Sequence, residues 1–512
     1  MVRIPTIQEL KEKEDIKNLN KALSHPERDV RKSSLKALKD LVDRGVYDQS
    51  SLKPLKQALK DDSENIRGEA AETIYKLAQN DIYDRSTLEV LIELLDDEDE
   101  QVRGNASKAV RGLAEKNVCE PKTIEKLSDN LRDPDEYVKW NAVRTLEVLA
   151  EKGICKSMTL EGIHDILEDG DKDVREAGIH TLRAMADEGI IDERSVDVIK
   201  DLFSDFPNEV KVHAAKMLEK LAKNDIDISS AIENLNELLE EVDEDARDAA
   251  ASTLKTAFKK GHRNKKSIKV LNGLIREGGK RRQMFAVKNI KDFSKLGITD
   301  ESSFEPLTEL LESDDENIKA GSIEALTSLA INGIRQDEIL RSLNAMLEGE
   351  SEKIKKRAAK SIKKLSGGGI YTSESVEPLL ELLDESNEEI KESAIEALKF
   401  LSIEGVYDES MMDGVLKVLE DSNESIKISA TSILHNLAKK GINNEDSIEL
   451  LIDFLRSDSE VLKERSLFTL LVLSEQGLYE EDSIDLLKEL TEDNNKTIQD
   501  KAKQLLESIE KN

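Results

Sequence analysis

The sequence repeats itself every 36 residues without an insertion or deletion, and this constrains the fold more than any other feature. In 12 of the 14 units an apolar residue is followed by a basic one at the same position of the repeat. The pairs include Val30-Arg31, Ile66-Arg67, Val102-Arg103, Val138-Lys139, Ile354-Lys355 and Ile390-Lys391. About fourteen such units account for nearly all 512 residues. This constant register predicts a tandem array of a single structural unit.

The apolar spacing within each unit predicts two helices. In the second unit, apolar residues recur three or four positions apart, which is the spacing of one helical face. They are Leu52, Leu55 and Leu59 in the first helix, and Ile66, Ala70, Ile74 and Leu77 in the second. A polar capping residue precedes most second helices: Ser63, Asp99, Asp135, Asp171, Asp243, Asp315, Ser351, Asn387 and Asn423. Glycine ends most of them, at Gly45, Gly153, Gly189, Gly297, Gly333, Gly369, Gly405, Gly441 and Gly477. We therefore predict an all-α solenoid.

Two segments carry a family resemblance that extends over the whole chain. LLDDEDEQVRGNASKAVRGLA (94–114) and LEDGDKDVREAGIHTLRAMA (167–186) resemble HEAT repeats. The resemblance implies a right-handed α-α superhelix of about fourteen 36-residue helix pairs, with the second helices on the concave side. It also implies a ladder between neighbouring units, in which the basic residue of one unit meets an aspartate of the next. The aspartates are Asp61, Asp97, Asp133, Asp169, Asp205 and Asp421. Because lysine replaces arginine in the later units, we expect a weaker ladder there.

Composition and domain boundaries give a coarse class. Acidic residues outnumber basic ones by 108 to 76, for a net charge of −32. The apolar runs are too short to span a membrane, and the first residues do not resemble a signal peptide. We expect an intracellular, cytoplasmic protein, and we favour a monomer. We assign 1–14 as an N-terminal extension or cap and 15–512 as a single repeat array, with a hinge near 255–295 as one interpretation.

The segment 255–295 departs most from the repeat. It carries fourteen Lys or Arg residues and two acids within an acidic chain. In the eighth unit, Gly278 and Gly279 precede Lys280, Arg281 and Arg282, which would start the second helix. Exposed N–H groups and cations at a helix start suit an anion or an acidic partner. We predict that these three residues bind such a partner together with Lys288 and Lys291; the alternative is a solvated hinge, and both remain open.

Two further clusters are candidate binding hot spots. Tyr137, Trp140 and Arg144 share one predicted helical face, and this composition is typical of protein interfaces. Phe468 and Leu471 add apolar surface in the thirteenth unit. For both clusters, packing between neighbouring repeats is the competing interpretation.

The sequence indicates binding rather than catalysis. The six histidines show no metal-ligand spacing, and phosphate-binding loops and serine-nucleophile motifs are absent from the sequence. We expect no enzyme activity, no metal and no cofactor. The leading hypothesis is a scaffold or adaptor that binds a protein partner, with an acidic or anionic segment, on its concave surface. The alternative is a nucleic-acid-associated protein that binds the phosphate backbone through 255–295.

Overall fold

A computed structural model describes residues 6–155, 159–190, 192–204, 207–349 and 351–511, and these residues form helices and connecting turns without a β-strand. Two compact units divide the chain: unit 1, Met1–Arg263, and unit 2, Asn264–Asn512. None of the described helices has the length and apolar character needed to cross a bilayer.

The helices follow one another in pairs. In unit 1 they are α1 Ile7–Glu12, α2 Ile16–Ala22, α3 Arg28–Asp43, α4 Leu52–Ala58, α5 Glu64–Gln79, α6 Leu88–Leu94, α7 Glu100–Glu115, α8 Pro121–Asn130, α9 Glu136–Glu151, α10 Thr159–Leu167, α11 Lys172–Asp187, α12 Arg194–Asp201, α13 Asn208–Lys223, α14 Ile232–Glu240 and α15 Glu244–Lys259. In unit 2 they are α16 Lys266–Glu277, α17 Lys280–Lys295, α18 Phe304–Glu309, α19 Glu316–Ile331, α20 Gln336–Ala345, α21 Glu352–Ser366, α22 Val376–Glu381, α23 Glu388–Ile403, α24 Ser410–Leu419, α25 Glu424–Ala438, α26 Asp446–Phe454, α27 Glu460–Ser474, α28 Ile484–Leu490 and α29 Lys496–Lys511. Short 3₁₀ turns precede or follow several first helices.

The predicted all-α repeat fold is confirmed, because the described residues form seven helix pairs in each unit, and α1 packs against the first pair. In both units the second helix of each pair contacts the second helices on either side more extensively than the first helices contact one another. We call the second helices of each unit its inner layer. The predicted apolar stripes are buried: Leu55, Ile66, Ile74 and Leu77 are at most 1% exposed.

The ladder predicted from the HEAT resemblance is present, and its arginines and lysines make different contacts. Three arginines of unit 1 each donate hydrogen bonds to both carboxylate oxygens of an aspartate, at 2.6–3.0 Å: Arg31 to Asp61, Arg67 to Asp97, and Arg103 to Asp133. Lysines make single contacts, for example Lys355 with Glu385 at 2.6 Å and Lys391 with Asp421 at 2.8 Å. Asp205 lies outside the described residues. The arginine pairs fix the geometry between repeats more tightly because a guanidinium matches a carboxylate at two points.

The helix boundaries follow the predicted caps with one exception. The side chains of Asp99, Asp171, Asp243 and Ser351 accept a hydrogen bond from a backbone N–H in the first turn that follows. Ser63 is the N-cap of α5 as predicted, and the exception is its side chain, because the buried hydroxyl makes no hydrogen bond to any residue that the structure describes. The neighbouring Asp61 carboxylate instead accepts the Ser63 N–H at 3.0 Å. The predicted glycine ends all have positive φ, from 66° to 88°.

Candidate functional site

The three cations at the start of α17 lie at one end of that helix. Gly279 occupies the N-cap of α17. The backbone at Gly278 lies close to Arg282: a Cβ at position 278 would be 2.6 Å from the Arg282 Cβ, so a residue without a side chain fits there. Arg281 is exposed and Arg282 is half-buried. Lys280 is paired with Asp315, the N-cap of α19, at 3.6 Å. One of the three predicted anion-binding cations therefore already has a carboxylate partner.

Lys288 and Lys291 lie further along the same helix, so the five predicted cations do not form one cluster. Eleven residues separate Lys280 from Lys291, which corresponds to about 16 Å along a helix. Lys288 is exposed. Lys291 donates a hydrogen bond to Glu324 of α19 at 2.9 Å. The structure thus separates the start of α17 from a second basic region near its end.

That second region is a pocket formed by three successive helices of the inner layer, α17, α19 and α21. It has a volume of about 190 Å³. We call it the basic pocket and define it by its lining: Lys291, Lys295, Glu324, Thr327, Ser328, Arg357, Lys360, Ser361 and Lys364. Five cations therefore surround one carboxylate. The three helices hold these side chains on one surface because the 36-residue repeat places equivalent positions of successive second helices side by side.

The carboxylate in the basic pocket is engaged by two of the five cations. Glu324 accepts a hydrogen bond from Lys291 and also pairs with Arg357 of α21. Burial alone would raise the pKa of Glu324, but the Lys291 hydrogen bond and the charges of Lys291, Arg357 and Lys295 outweigh it, so that pKa lies below the ordinary value. Glu324 is therefore ionised and neutralises about one of the five positive charges.

The remaining cations are poorly compensated. Lys295 lies 3.9 Å from Asp292, and Lys360 lies 3.6 Å from Glu389. Within the ranges that the structure describes, Lys364 is exposed and has no carboxylate within ion-pair distance. Burial lowers the pKa of Lys360, and the neighbouring positive charges lower it further. Cations that repel one another in this way are stabilised by an incoming anion.

The sequence prediction missed the part of the basic pocket that α21 contributes. The signal was present, because α21 contains seven Lys or Arg residues and one Glu. Lys288 and Lys360 also occupy the same repeat position two units apart, with Glu324 at that position between them. A comparison of equivalent positions across the eighth, ninth and tenth units would have found the pocket, whereas the charge of a single segment did not.

The structure places Tyr137, Trp140 and Arg144 on α9, where all three are partly buried. The ring of Tyr137 packs on Gly104 of α7, where an added Cβ would lie 2.3 Å from it. The Tyr137 hydroxyl donates a hydrogen bond to Asn105 at 2.8 Å. These contacts show that Tyr137 contributes to packing between repeats.

The other two residues of this cluster also have neighbours. The Arg111 guanidinium lies 5.8 Å from the Trp140 ring, and Arg144 pairs with Glu147. Burial raises the pKa of Glu147 despite its basic neighbours. Trp140 and Arg144 remain a predicted hot spot in the inner layer of unit 1.

Phe468 and Leu471 lie on α27, far along unit 2 from the basic pocket, and both are half-buried. The Phe468 ring contacts the His435 ring edge to face, with centroids 6.5 Å apart. The Lys501 ammonium lies 4.4 Å from the Phe468 centroid. The neighbouring helices α25 and α29 therefore partly cover this apolar surface, and its role as a hot spot stays a prediction.

Solved structures with similar folds include repeat proteins of several kinds. One is described as "A conserved phosphorylation switch controls the interaction between cadherin and beta-catenin in vitro and in vivo". Its chain is 17% identical, the match covers 90% of this chain and 99% of that one, and the TM-score is 0.44. Kap95p with RanGDP is 14% identical, covers 98% and 72%, and has a TM-score of 0.43. A designed armadillo repeat protein in complex with the peptide (KR)4 is 20% identical, covers 40% and 98%, and has a TM-score of 0.35. Among curated proteins, none matches this sequence.

Two family descriptions match the sequence itself. "HEAT repeats" matches residues 16–111 and 53–147. "Adaptin N terminal region" matches residues 123–512, which is more than half of the chain. The first match agrees with the repeat motifs, the helix pairs and the ladder described above. The chain is a HEAT-repeat protein that belongs to the adaptin N-terminal region family.

Proposed function

We propose that this protein is a non-catalytic scaffold or adaptor, and that it binds an acidic segment of a protein partner on the inner layer of unit 2. The observation that carries the proposal is the basic pocket, in which five cations surround one carboxylate although the chain as a whole has a net charge of −32. A local reversal of charge sign favours a partner of opposite charge and accelerates its encounter with that surface.

The proposed mechanism is geometric. The second helices of a repeat array present equivalent side chains at regular intervals, so an extended segment can contact several repeats in succession. The basic pocket would act as the anchor, because its charge-assisted hydrogen bonds are stronger than neutral ones. The half-buried Phe400 of α23, which follows α21 in the inner layer, offers apolar contact beside it.

Nucleic-acid binding through 255–295 is the competing function, and the charges around the segment make it the weaker candidate. Residues 255–263 belong to unit 1 and 264–295 to unit 2. Within unit 2, Lys280 and Lys291 are already paired with carboxylates. A phosphate backbone longer than the basic pocket would also meet Glu389 and Glu396 of α23. An acidic peptide can be confined to the pocket, whereas a polynucleotide repeats its charge along its whole length.

The test uses the full chain and a short fluorescent peptide rich in Asp and Glu, with anisotropy measured over a series of salt concentrations. The double charge reversal Lys360→Glu with Lys364→Glu should weaken binding by roughly tenfold or more, since it turns attraction into repulsion at the anchor. The matched control is Lys417→Glu with Lys488→Glu. It changes the net charge equally, at exposed lysines on the first helices α24 and α28.

The control variant should bind within about twofold of the natural chain, and binding should weaken as salt is added. Equal losses in the two variants, or no peptide binding at low salt, would overturn the proposal. Labelled single- and double-stranded DNA and RNA form a second arm. If they bind more tightly than the peptide and lose affinity in the Lys360/Lys364 variant, the nucleic-acid function is correct instead.

A further inference from the structure

The basic pocket has more positive charge than an ordinary carboxylate side chain would neutralise. Its lining carries five cations and one anion, and Glu324 pairs with Lys291 and Arg357. Asp292 and Glu389 lie 3.9 Å from Lys295 and 3.6 Å from Lys360, so about two positive charges are left uncompensated. Lys360 and Lys364 extend from α21 beside this ion-paired centre. A Glu or Asp side chain of a partner brings one negative charge, whereas a phosphorylated side chain brings about −1.5 to −2 and three acceptor oxygens. The charge balance therefore favours a phosphate over a carboxylate.

A second cavity adjoins the basic pocket and is partly apolar. It has a volume of about 420 Å³ and is lined by Lys360, Lys363, Lys364, Gly367 and Phe400. The Phe400 ring lies against Gly367, where an added Cβ would be 3.2 Å from the ring. Lys360 and Lys364 line both cavities, so the two adjoin at α21. A ligand that extends from the basic pocket across α21 therefore reaches an aromatic ring.

The spacing of the two cavities suits an extended peptide. The basic pocket extends from α17 across α19 to α21. The second cavity, which we call the aromatic cavity, lies between α21 and α23, so it begins one helix beyond the α19 side of the pocket. Adjacent packed helices are about 10 Å apart. An extended chain advances about 3.4 Å per residue, so about three residues would connect the two cavities.

We propose that the basic pocket binds a phosphorylated side chain of the partner segment, while an apolar side chain about three residues away occupies the cavity beside Phe400. This inference rests on the proposed function, because it specifies the chemistry of the same site. A single phosphate needs only the pocket itself. A polynucleotide would continue into the carboxylates of α23, among them Glu389, which pairs with Lys356 and Lys360, and Glu396, which pairs with Lys363.

The test uses labelled acidic peptides with two variable positions. The first position is Ser, Glu or phosphoserine. The second position lies three residues before or three residues after the first and is Leu or Ala. We expect phosphoserine to bind roughly tenfold more tightly than Glu. Lys364→Gln should remove most of that preference while the Glu peptide loses little, and Lys417→Gln on α24 should change neither.

The aromatic cavity is tested by Phe400→Ala, which should abolish the advantage of Leu over Ala and leave the advantage of phosphoserine over Glu. If Glu and phosphoserine bind equally well, the phosphate inference fails and the acidic-segment function stands. If none of the peptides binds, both fail. If inorganic phosphate displaces the phosphopeptide at equal concentration, the pocket is a site for free phosphate, and the inference that it binds a phosphorylated peptide is overturned. Tighter binding of a polynucleotide would overturn the whole inference.

Discussion

The ladder pair between Arg103 and Asp133 should make a measurable contribution to the stability of unit 1. The Arg103 guanidinium donates hydrogen bonds to both Asp133 oxygens at 2.7 and 2.9 Å, and the two side chains are 15% and 7% exposed. Arg103 also donates to the Asp97 carbonyl at 2.8 Å. Arg103→Ala leaves the Asp133 carboxylate largely buried without its main partner, since among the described residues only the Asp135 N–H still donates to it.

The magnitude follows from this geometry. Removing one partner of a buried ion pair costs about 3–5 kcal/mol, and the remaining N–H bond and partial solvent access favour the lower end, about 3 kcal/mol. Arg103→Lys keeps one contact of the kind seen in unit 2 and should cost about 1 kcal/mol. With a urea dependence of about 2 kcal/mol per M, Arg103→Ala should lower the midpoint by about 1.5 M.

Trp140 makes the assay local. It is the single tryptophan of the chain and lies on α9, the helix that follows the turn containing Asp133. Its fluorescence during urea unfolding therefore reports on this junction, even though repeat arrays do not unfold in two states. The matched control is Lys122→Ala, an exposed cation on α8 in the same repeat, which should change stability by less than about 0.5 kcal/mol. Equal effects of Arg103→Ala and Lys122→Ala on the midpoint would show that the ladder pair does not stabilise unit 1.

Three further predictions concern packing, thiol reactivity and pH. Gly104→Ala should destabilise unit 1 by about 2 kcal/mol in urea unfolding, because the new Cβ would lie 2.3 Å from the Tyr137 ring. The control Gly273→Ala on α16 places its Cβ in open space and should stabilise unit 2 by about 0.5–1 kcal/mol. Burial raises the pKa of Cys155 to about 12, so iodoacetamide should not alkylate this thiol in the native chain at mildly alkaline pH but should alkylate it in urea, as read by mass spectrometry. Equal alkylation rates in the two states would contradict the burial of Cys155. Burial lowers the pKa of His164 below 6.5, so the neutral imidazole stabilises the fold fully above pH 6.5 and this stabilisation is lost as the pH falls below 6.5. The thermal unfolding midpoint should therefore be lower on the acid side, and His164→Gln should reduce the difference between the two midpoints.

The sequence could predict the features that each repeat determines by itself or with its immediate neighbour. Helix pairing follows from apolar spacing, and the contact of Arg103 with Asp133 follows from the family pattern across one repeat. The single contacts of the later ladder lysines also follow from the sequence, because a lysine ammonium cannot match a carboxylate at two points.

The basic pocket could not be predicted from one segment, because it combines side chains of three successive second helices. Lys291 was identified from the charge of 255–295, but Lys360 and Lys364 belong to a different unit and complete the pocket only when the helices stack. Tyr137 fits the competing interpretation that the sequence left open, which was packing between repeats. A glycine of the preceding repeat leaves the space that its ring fills. Both outcomes depend on which side chains stacking brings together.

Anionic partners should bind the inner layer of unit 2 at the basic pocket, and a lysine footprint on the full chain would locate this binding residue by residue. Lysine acetylation is measured by mass spectrometry with and without the acidic phosphoserine peptide at a saturating concentration. We predict that acetylation of Lys291, Lys360 and Lys364 falls by about fivefold or more, while Lys417 and Lys488 on the first helices are unchanged. Protection spread evenly over both sets of lysines, or confined to Lys417 and Lys488, would show that the peptide does not bind at the basic pocket.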